Sequence, residues 1–325
     1  MKRPSPSGRL ARPRRAWVAP VLALLLVLAA CGYDETTVPS PQAATVDAGG
    51  GNDGPACTND GTQVRSYAPE GDVLSGDAVA RIRKRGRLVA GVAADTFLLG
   101  SRDPSDGQIK GFDIDMATAI ADRIFAPATG KLELRVITAA ERIPLLQDGT
   151  IDIVARNMTV NCDRWEQIAF SAIYYDAGQK VLVGRDSGIR DIADLADKRI
   201  CAPAGTTSIQ NIQTIQPQAI PVTAGDNSAC MVLFQNGEAD GVSTDDTVLA
   251  GLAAQDPYAV VLDTPFLTDE PYGIGVNADD VDLVQLINVV LEEMRADGRW
   301  QDSYDRWLRP SLQVPGKQPK PQYGR

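Results

Sequence analysis

The sequence contains no histidine. That excludes Ser-His-Asp and Cys-His catalysis, histidine-ligated zinc and haem, and histidine proton shuttles. Positive charge is also scarce: 32 Lys+Arg stand against 42 Asp+Glu, a net charge of −10. Six of the basic residues (Lys2, Arg3, Arg9, Arg12, Arg14 and Arg15) lie within 1–30, where there is no acid, so the rest of the chain is more acidic still. Such a body offers no electrostatic footprint for nucleic acid. A hydrophobic share of 44% and a charged share of 23% are ordinary for a globular chain. They exclude a multi-span membrane protein and a wholly disordered one. The 325 residues amount to roughly two domains.

Basic residues crowd the start, an apolar run fills 16–30, and Leu28-Ala29-Ala30-Cys31 follows at its end. This is the layout of an export signal. The run is short of the roughly 20 residues that span a bilayer. Cysteine directly after Leu-Ala-Ala resembles the bacterial lipoprotein signal, in which Cys31 is acylated and becomes the new N-terminus. Residues 1–30 are therefore expected to be a signal peptide and 31–65 a flexible tether, since that stretch is small, polar and rich in Gly and Pro. The tail, 313–325, rich in Pro, Lys and Gln, reads as disordered. Apart from Cys31, four cysteines remain: Cys57, Cys162, Cys201 and Cys230. An even number in an oxidising compartment favours two disulfides, and four cysteines allow three connectivities. Cys201 on a strand and Cys230 on a nearby helix favour Cys201–Cys230, which leaves Cys57–Cys162. Free buried thiols are the alternative.

Between these ends, apolar runs of strand length alternate with helical patterns. Strands are predicted at 87–92, 132–137, 151–155 and 272–276. Helices are predicted at 113–125, with Asp113 as N-cap, at 143–147 and at 281–297, and a shorter one ends near Trp307. A second series fills 181–262. Strand–helix alternation argues an α/β fold with mostly parallel sheets. Two similar series suggest two lobes with the ligand between them at strand ends. Short crossings are expected at 174–178 and 270–273. Lobe 1 would comprise 66–177 plus 272–312, and lobe 2 would comprise 178–271.

Several motifs follow one another in order. They are Gly91-Val92-Ala93-Ala94-Asp95, Gly111-Phe112-Asp113-Ile114-Asp115, Arg142-Ile143-Pro144-Leu145-Leu146-Gln147-Asp148-Gly149 and Asn157-Met158-Thr159-Val160-Asn161-Cys162-Asp163-Arg164. Then come Ala204-Gly205-Thr206-Thr207-Ser208, Thr244-Asp245-Asp246 and Glu270-Pro271-Tyr272-Gly273-Ile274. Together they resemble the bacterial extracellular solute-binding proteins of family 3, the polar amino-acid receptors of ABC importers, over about 82–309. The resemblance implies a two-lobed, periplasmic-binding-protein-like (type II) fold with a hinge and an inter-lobe cleft.

A zwitterionic ligand in such a cleft needs donors for its carboxylate and acceptors for its ammonium. Arg164 can form a bidentate fork with a carboxylate, and the family places its carboxylate clamp there. Thr159 and Asn157 lie beside it. Thr206 and Thr207 follow Gly205 at a helix N-terminus, where free N–H groups cradle anions. Pro203 stands where glutamine receptors carry a lysine. By resemblance Asp245 accepts the ammonium and Asp246 caps the helix, an assignment that could shift by one. Arg142 matches an arginine that glutamate/aspartate receptors use on the side-chain carboxylate. Asp95 matches an acid that glutamine receptors use on the side-chain amide, and Phe97 is a candidate wall. Asp115 and Asp279, Asp280 and Asp282 read as caps or solvated faces.

These features predict a monomeric, lipid-anchored receptor on the extracytoplasmic face of the membrane, without cofactor or metal. It would bind glutamate or aspartate, with glutamine and asparagine tolerated, and deliver it to an ABC permease. Two alternatives stand beside it: a sensor that presents the bound form to a membrane signalling partner, and a dehydratase-like enzyme on the same fold.

Overall fold

The computed structural model describes residues 57–127 and 129–325. The export signal, Cys31 and most of the expected tether lie outside the described residues.

Two sheets organise the body. In the first, β1 (Leu88–Val92) lies between β5 (Leu132–Val136) and β6 (Ile153–Val154), parallel to both. β14 (Gly275–Val276) runs antiparallel to β6 and to the edge strand β7 (Ala169–Phe170). All five residues of β1 are buried, as expected of a parallel strand covered on both faces. In the second sheet the order is β10 (Ile220–Ala224), β9 (Arg199–Pro203), β11 (Gly241–Asp245), β8 (Tyr175–Gly184), β12 (Ala259–Val261). The first three run parallel, and β8 is antiparallel to β11 and β12. A small third sheet, β2 (Asp95–Thr96), β3 (Gly100–Arg102) and β4 (Ile109–Lys110), was not expected from the sequence.

Two strands join the lobes. The first part of β8 pairs antiparallel with β13 (Asp269–Tyr272), Tyr175 opposite Tyr272 and Gly178 opposite Asp269. Both crossings fall in the stretches expected for them. Around them Phe112, Tyr174, Tyr175, Tyr272, Trp300 and Tyr304 form a run of ring contacts with centroids 5.3–6.4 Å apart. Such packing is stiffer than a Gly-rich linker.

The first sheet is flanked by α1 (Asp77–Arg85), α2 (Phe112–Phe125), α8 (Val281–Asp297) and α9 (Arg299–Trp307). Asp113 was expected to cap α2, but Gly111 holds that position, at φ 146°. A Cβ there would lie 2.2 Å from the Leu99 carbonyl oxygen, so only glycine fits. Asp115 and Asp282 are not solvated faces either. Asp115 accepts from Ser303 Oγ and Trp307 Nε1, and Asp282 accepts the Ala78 N–H at the head of α1.

Both ends of the described chain depart from expectation. The tether was drawn to residue 65, yet from Cys57 it is fixed: Asn59 Oδ1 accepts the Cys162 N–H, and the Gln63 carbonyl accepts Trp165 Nε1. The tail is not disordered. Gln318 is buried and donates to the Leu291 carbonyl. Tyr323 bonds Glu292 and bridges to Ser66, and the Arg325 guanidinium lies 3.8 Å over the Trp165 ring. Proline and glutamine suggested disorder because they build no apolar face. Here prolines limit the entropy to be lost, and the amide satisfies a helix carbonyl. The disulfides are Cys57–Cys162 and Cys201–Cys230, the favoured pairing.

Candidate ligand-binding site

The loop after β6 carries the cleft's positive charge. Asn157 adopts φ 35°, a left-handed conformation that asparagine tolerates better than most residues. Its N–H donates 2.8 Å to Asp113 Oδ2, and Asp113 Oδ1 accepts the Tyr174 hydroxyl at 2.8 Å. Asp113 is thus a buried brace for this loop. Burial raises its pKa to about 6 against the pull of those two bonds. Farther on, Asn161 Oδ1 accepts the Arg164 N–H at 3.0 Å and caps the one-turn helix α4 (Cys162–Trp165). Arg164 is 8% exposed. Its Nη1 donates 2.5 Å to the Thr159 carbonyl, and no carboxylate lies within ion-pair distance among the described residues. Burial lowers its pKa, while Glu270 and Asp245 partly offset this.

The opposing wall comes from the second sheet. Asp245 ends β11 and stands at the N-cap of α7 (Asp246–Gln255), yet makes no capping bond. Its Oδ2 accepts the Tyr272 hydroxyl at 2.6 Å, and its buried Oδ1 has no partner. Desolvation first, then Glu270, pushes its pKa up to about 8, with the Tyr272 bond pulling the other way. Asp246, expected to be the cap, instead accepts the Gly178 N–H in the crossing strand at 3.4 Å.

Glu270, on β13, gathers both walls. Its Oε2 accepts Thr159 Oγ1 (2.6 Å) and Thr207 Oγ1 (2.8 Å), and its Oε1 accepts Asn211 Nδ2 and Thr268 Oγ1, both at 2.7 Å. Thr206 Oγ1 is occupied by the Pro203 carbonyl, at the N-cap of α5 (Thr207–Ile215).

The remaining expected residues bind lobe to lobe. Arg142 is 2% exposed, and its donors are engaged by four carbonyls: Ala139 (2.9 Å), Arg156 (3.3 Å) and Asn157 (3.4 Å) in the first lobe, and Gly205 (3.1 Å) in the second. It fastens the lobes rather than offering its fork. Gly205, at φ 74°, packs so closely on Ala140 that a Cβ would meet its Cα at 2.7 Å. Asp95 Oδ2 accepts the Ser228 N–H of α6 (Asn227–Gln235) at 3.4 Å. Phe97 is 40% exposed, with its carbonyl and Cβ close to Gly251, and it is not one of the buried cleft residues. Arg142, Arg164, Met158 and Gly205 border a cavity of about 300 Å³.

Sequence reasoning passed over Arg156. It is 3% exposed, and its single hydrogen bond runs from Nε to the Ile137 carbonyl at 3.0 Å. The available signal was its place: a guanidinium directly after the predicted strand 151–155, where a core strand ends and ligands gather. Glu270 and Tyr272 were seen only as part of a motif. Their roles rest on contacts with residues more than 20 positions away.

Two α/β lobes joined by paired strands, with a polar cleft between them, define a periplasmic-type binding-protein fold. Residues 88–310 match the bacterial extracellular solute-binding proteins, family 3. The chain is 36% identical over 234 residues to the "ABC transporter glutamine-binding protein GlnH" of Bacillus subtilis, spanning 72% of this chain and 85% of the relative. It is 32% identical over 253 residues to the "Glutamate-binding protein GluB" of Corynebacterium efficiens, spanning 74% and 84%. Among solved structures, an ancestral arginine-binding protein bound to glutamine shares 32% identity at a TM-score of 0.63, covering 69% of this chain and 98% of that one. The chain belongs to family 3 of the bacterial extracellular solute-binding proteins.

Proposed function

We propose that the protein is an extracytoplasmic receptor for a free polar L-amino acid, held to the membrane by a lipid on Cys31. It binds glutamate or aspartate, tolerates glutamine and asparagine, closes about the paired crossing strands, and hands its ligand to an ABC permease. One observation carries this reading: a buried guanidinium without a counter-ion, Arg164, faces a buried carboxylate with an unpartnered oxygen, Asp245. That pair is complementary to the carboxylate and ammonium of an amino acid. Each buried group is costly to ionise alone, and a zwitterion lying between them compensates both. The glutamine- and glutamate-binding names of the relatives agree with this class.

The test is a thermal-shift screen of the twenty amino acids followed by calorimetry. The reading expects a micromolar or tighter ligand, about −8 kcal/mol or better, among Glu, Asp, Gln and Asn. Arg164→Ala should cost about 3–5 kcal/mol of that affinity by leaving the ligand carboxylate buried and unpaired. Near-normal binding by that variant would overturn the assignment. For the anchor, Cys31→Ser should abolish palmitate labelling in cells and move the protein out of the membrane fraction. Retention there would count against lipidation.

A further inference from the structure

We infer that Arg156, not Arg142, reads the ligand's side chain, donating from its Nη groups to a terminal carboxylate. This rests on the amino-acid receptor reading above and deepens it.

The argument begins with unused donors. A guanidinium carries five N–H groups. In Arg156 only Nε–H is engaged, by the Ile137 carbonyl. Four acids send their fields to it: Asp95, Asp113, Asp226 and Glu141. Each is held by other donors. Asp95 accepts from the Ser228 N–H and Thr96 Oγ1, and Asp113 from the Asn157 N–H and Tyr174. Asp226 accepts from the Ala229 N–H, and Glu141 from Thr138. None lies within ion-pair distance of Arg156 among the described residues. A side chain 3% exposed therefore has one neutral hydrogen bond and only through-space fields, with no ion pair, to support its charge. Burying a charge so poorly satisfied is unfavourable, and sites that break such a rule are commonly functional.

The second observation is position. Arg156 lies just past the end of β6 and Arg164 on α4, eight residues further along the same connection. Arg142 feels the fields of both. Arg142 was the expected side-chain reader, but its fork is taken up by carbonyls of both lobes. With Arg164 given to the α-carboxylate, the buried guanidinium still able to form a two-pronged bond on this loop is Arg156. A carboxylate fits a guanidinium fork better than an amide does, because it accepts twice and brings the opposite charge.

The test is calorimetry of L-glutamate, L-aspartate, L-glutamine and L-asparagine with the wild-type chain, Arg156→Met, Arg156→Lys and Arg142→Gln. Arg156→Met should weaken the two dicarboxylates by about 100-fold and the two amides by less than about 10-fold. Arg156→Lys should keep the preference for acid over amide, in weaker form, and remains informative if the methionine variant folds poorly. Arg142→Gln should weaken every ligand alike. The ligand-free Arg156→Met protein should keep a cooperative melt close to that of wild type, so that its loss of affinity reports the ligand contact and not misfolding. An even loss across all four ligands, or no loss, overturns the inference while leaving the receptor reading intact. A wild-type chain that binds none of the four overturns the receptor reading, and this inference with it.

Discussion

Asp245 has one oxygen to offer a ligand, the buried Oδ1, because Tyr272 holds the other. Burial and the negative fields of Glu270 and Asp246 outweigh the Tyr272 bond and the nearby Arg142, so the acid's pKa rises to about 8. An unfolded aspartate titrates near 3.8. Between those two values the native state holds a proton that the unfolded chain has lost. The contribution of this residue to stability is therefore complete below the lower value and drains away as pH rises towards the upper one. Binding has the opposite slope. An ammonium beside Asp245 favours the carboxylate and expels the proton. Affinity should climb by up to about tenfold per pH unit from pH 6 to 8 and then level off. Calorimetry in buffers of different ionisation enthalpy should detect the released proton, and Asp245→Asn should lose both the release and the slope. A flat profile in the wild-type protein would show that another group meets the ammonium.

The element that aims Arg164 is only four residues long, too short to persist alone. Its direction comes from outside: the Asn161 cap, the Cys57–Cys162 disulfide, the Gln63 carbonyl on Trp165, and Arg325 over the Trp165 ring. The disulfide joins residues 105 positions apart, a span for which chain entropy alone gives about 4–5 kcal/mol. Cys57→Ser should lower the melting temperature and weaken all accepted amino acids by a similar factor, about 3- to 10-fold, without changing their order. A change in ligand ranking would show that the bridge shapes the side-chain subsite instead. The local helices were legible because their signals are local. The predicted 281–297 matches α8, and 132–137 matches β5 within a residue. A helix turn at Arg164 was also expected, and α4 supplies it. The third sheet was not read, because strands of two or three residues carry too little periodicity to register.

At the level of the whole chain, alternation of strands and helices disclosed two α/β lobes and the segments that join them. It could not disclose which cleft residues spend their hydrogen bonds within the protein. Arg142 and Arg164 look equivalent as letters. They differ because Gly205, 63 residues from Arg142, offers a carbonyl to one of them, and no element pattern encodes that approach. Composition likewise marked 313–325 as loose, although its glutamine and tyrosine find partners on α8. That last segment also brings Arg325 Nη2 to 3.4 Å from Cys57 Sγ. From Cys57 to Arg325 the polypeptide is therefore close to a ring. A short peptide could splice the two ends, and new termini could be opened at an exposed turn elsewhere with little strain. That makes the molecule a natural starting point for a circularly permuted optical reporter.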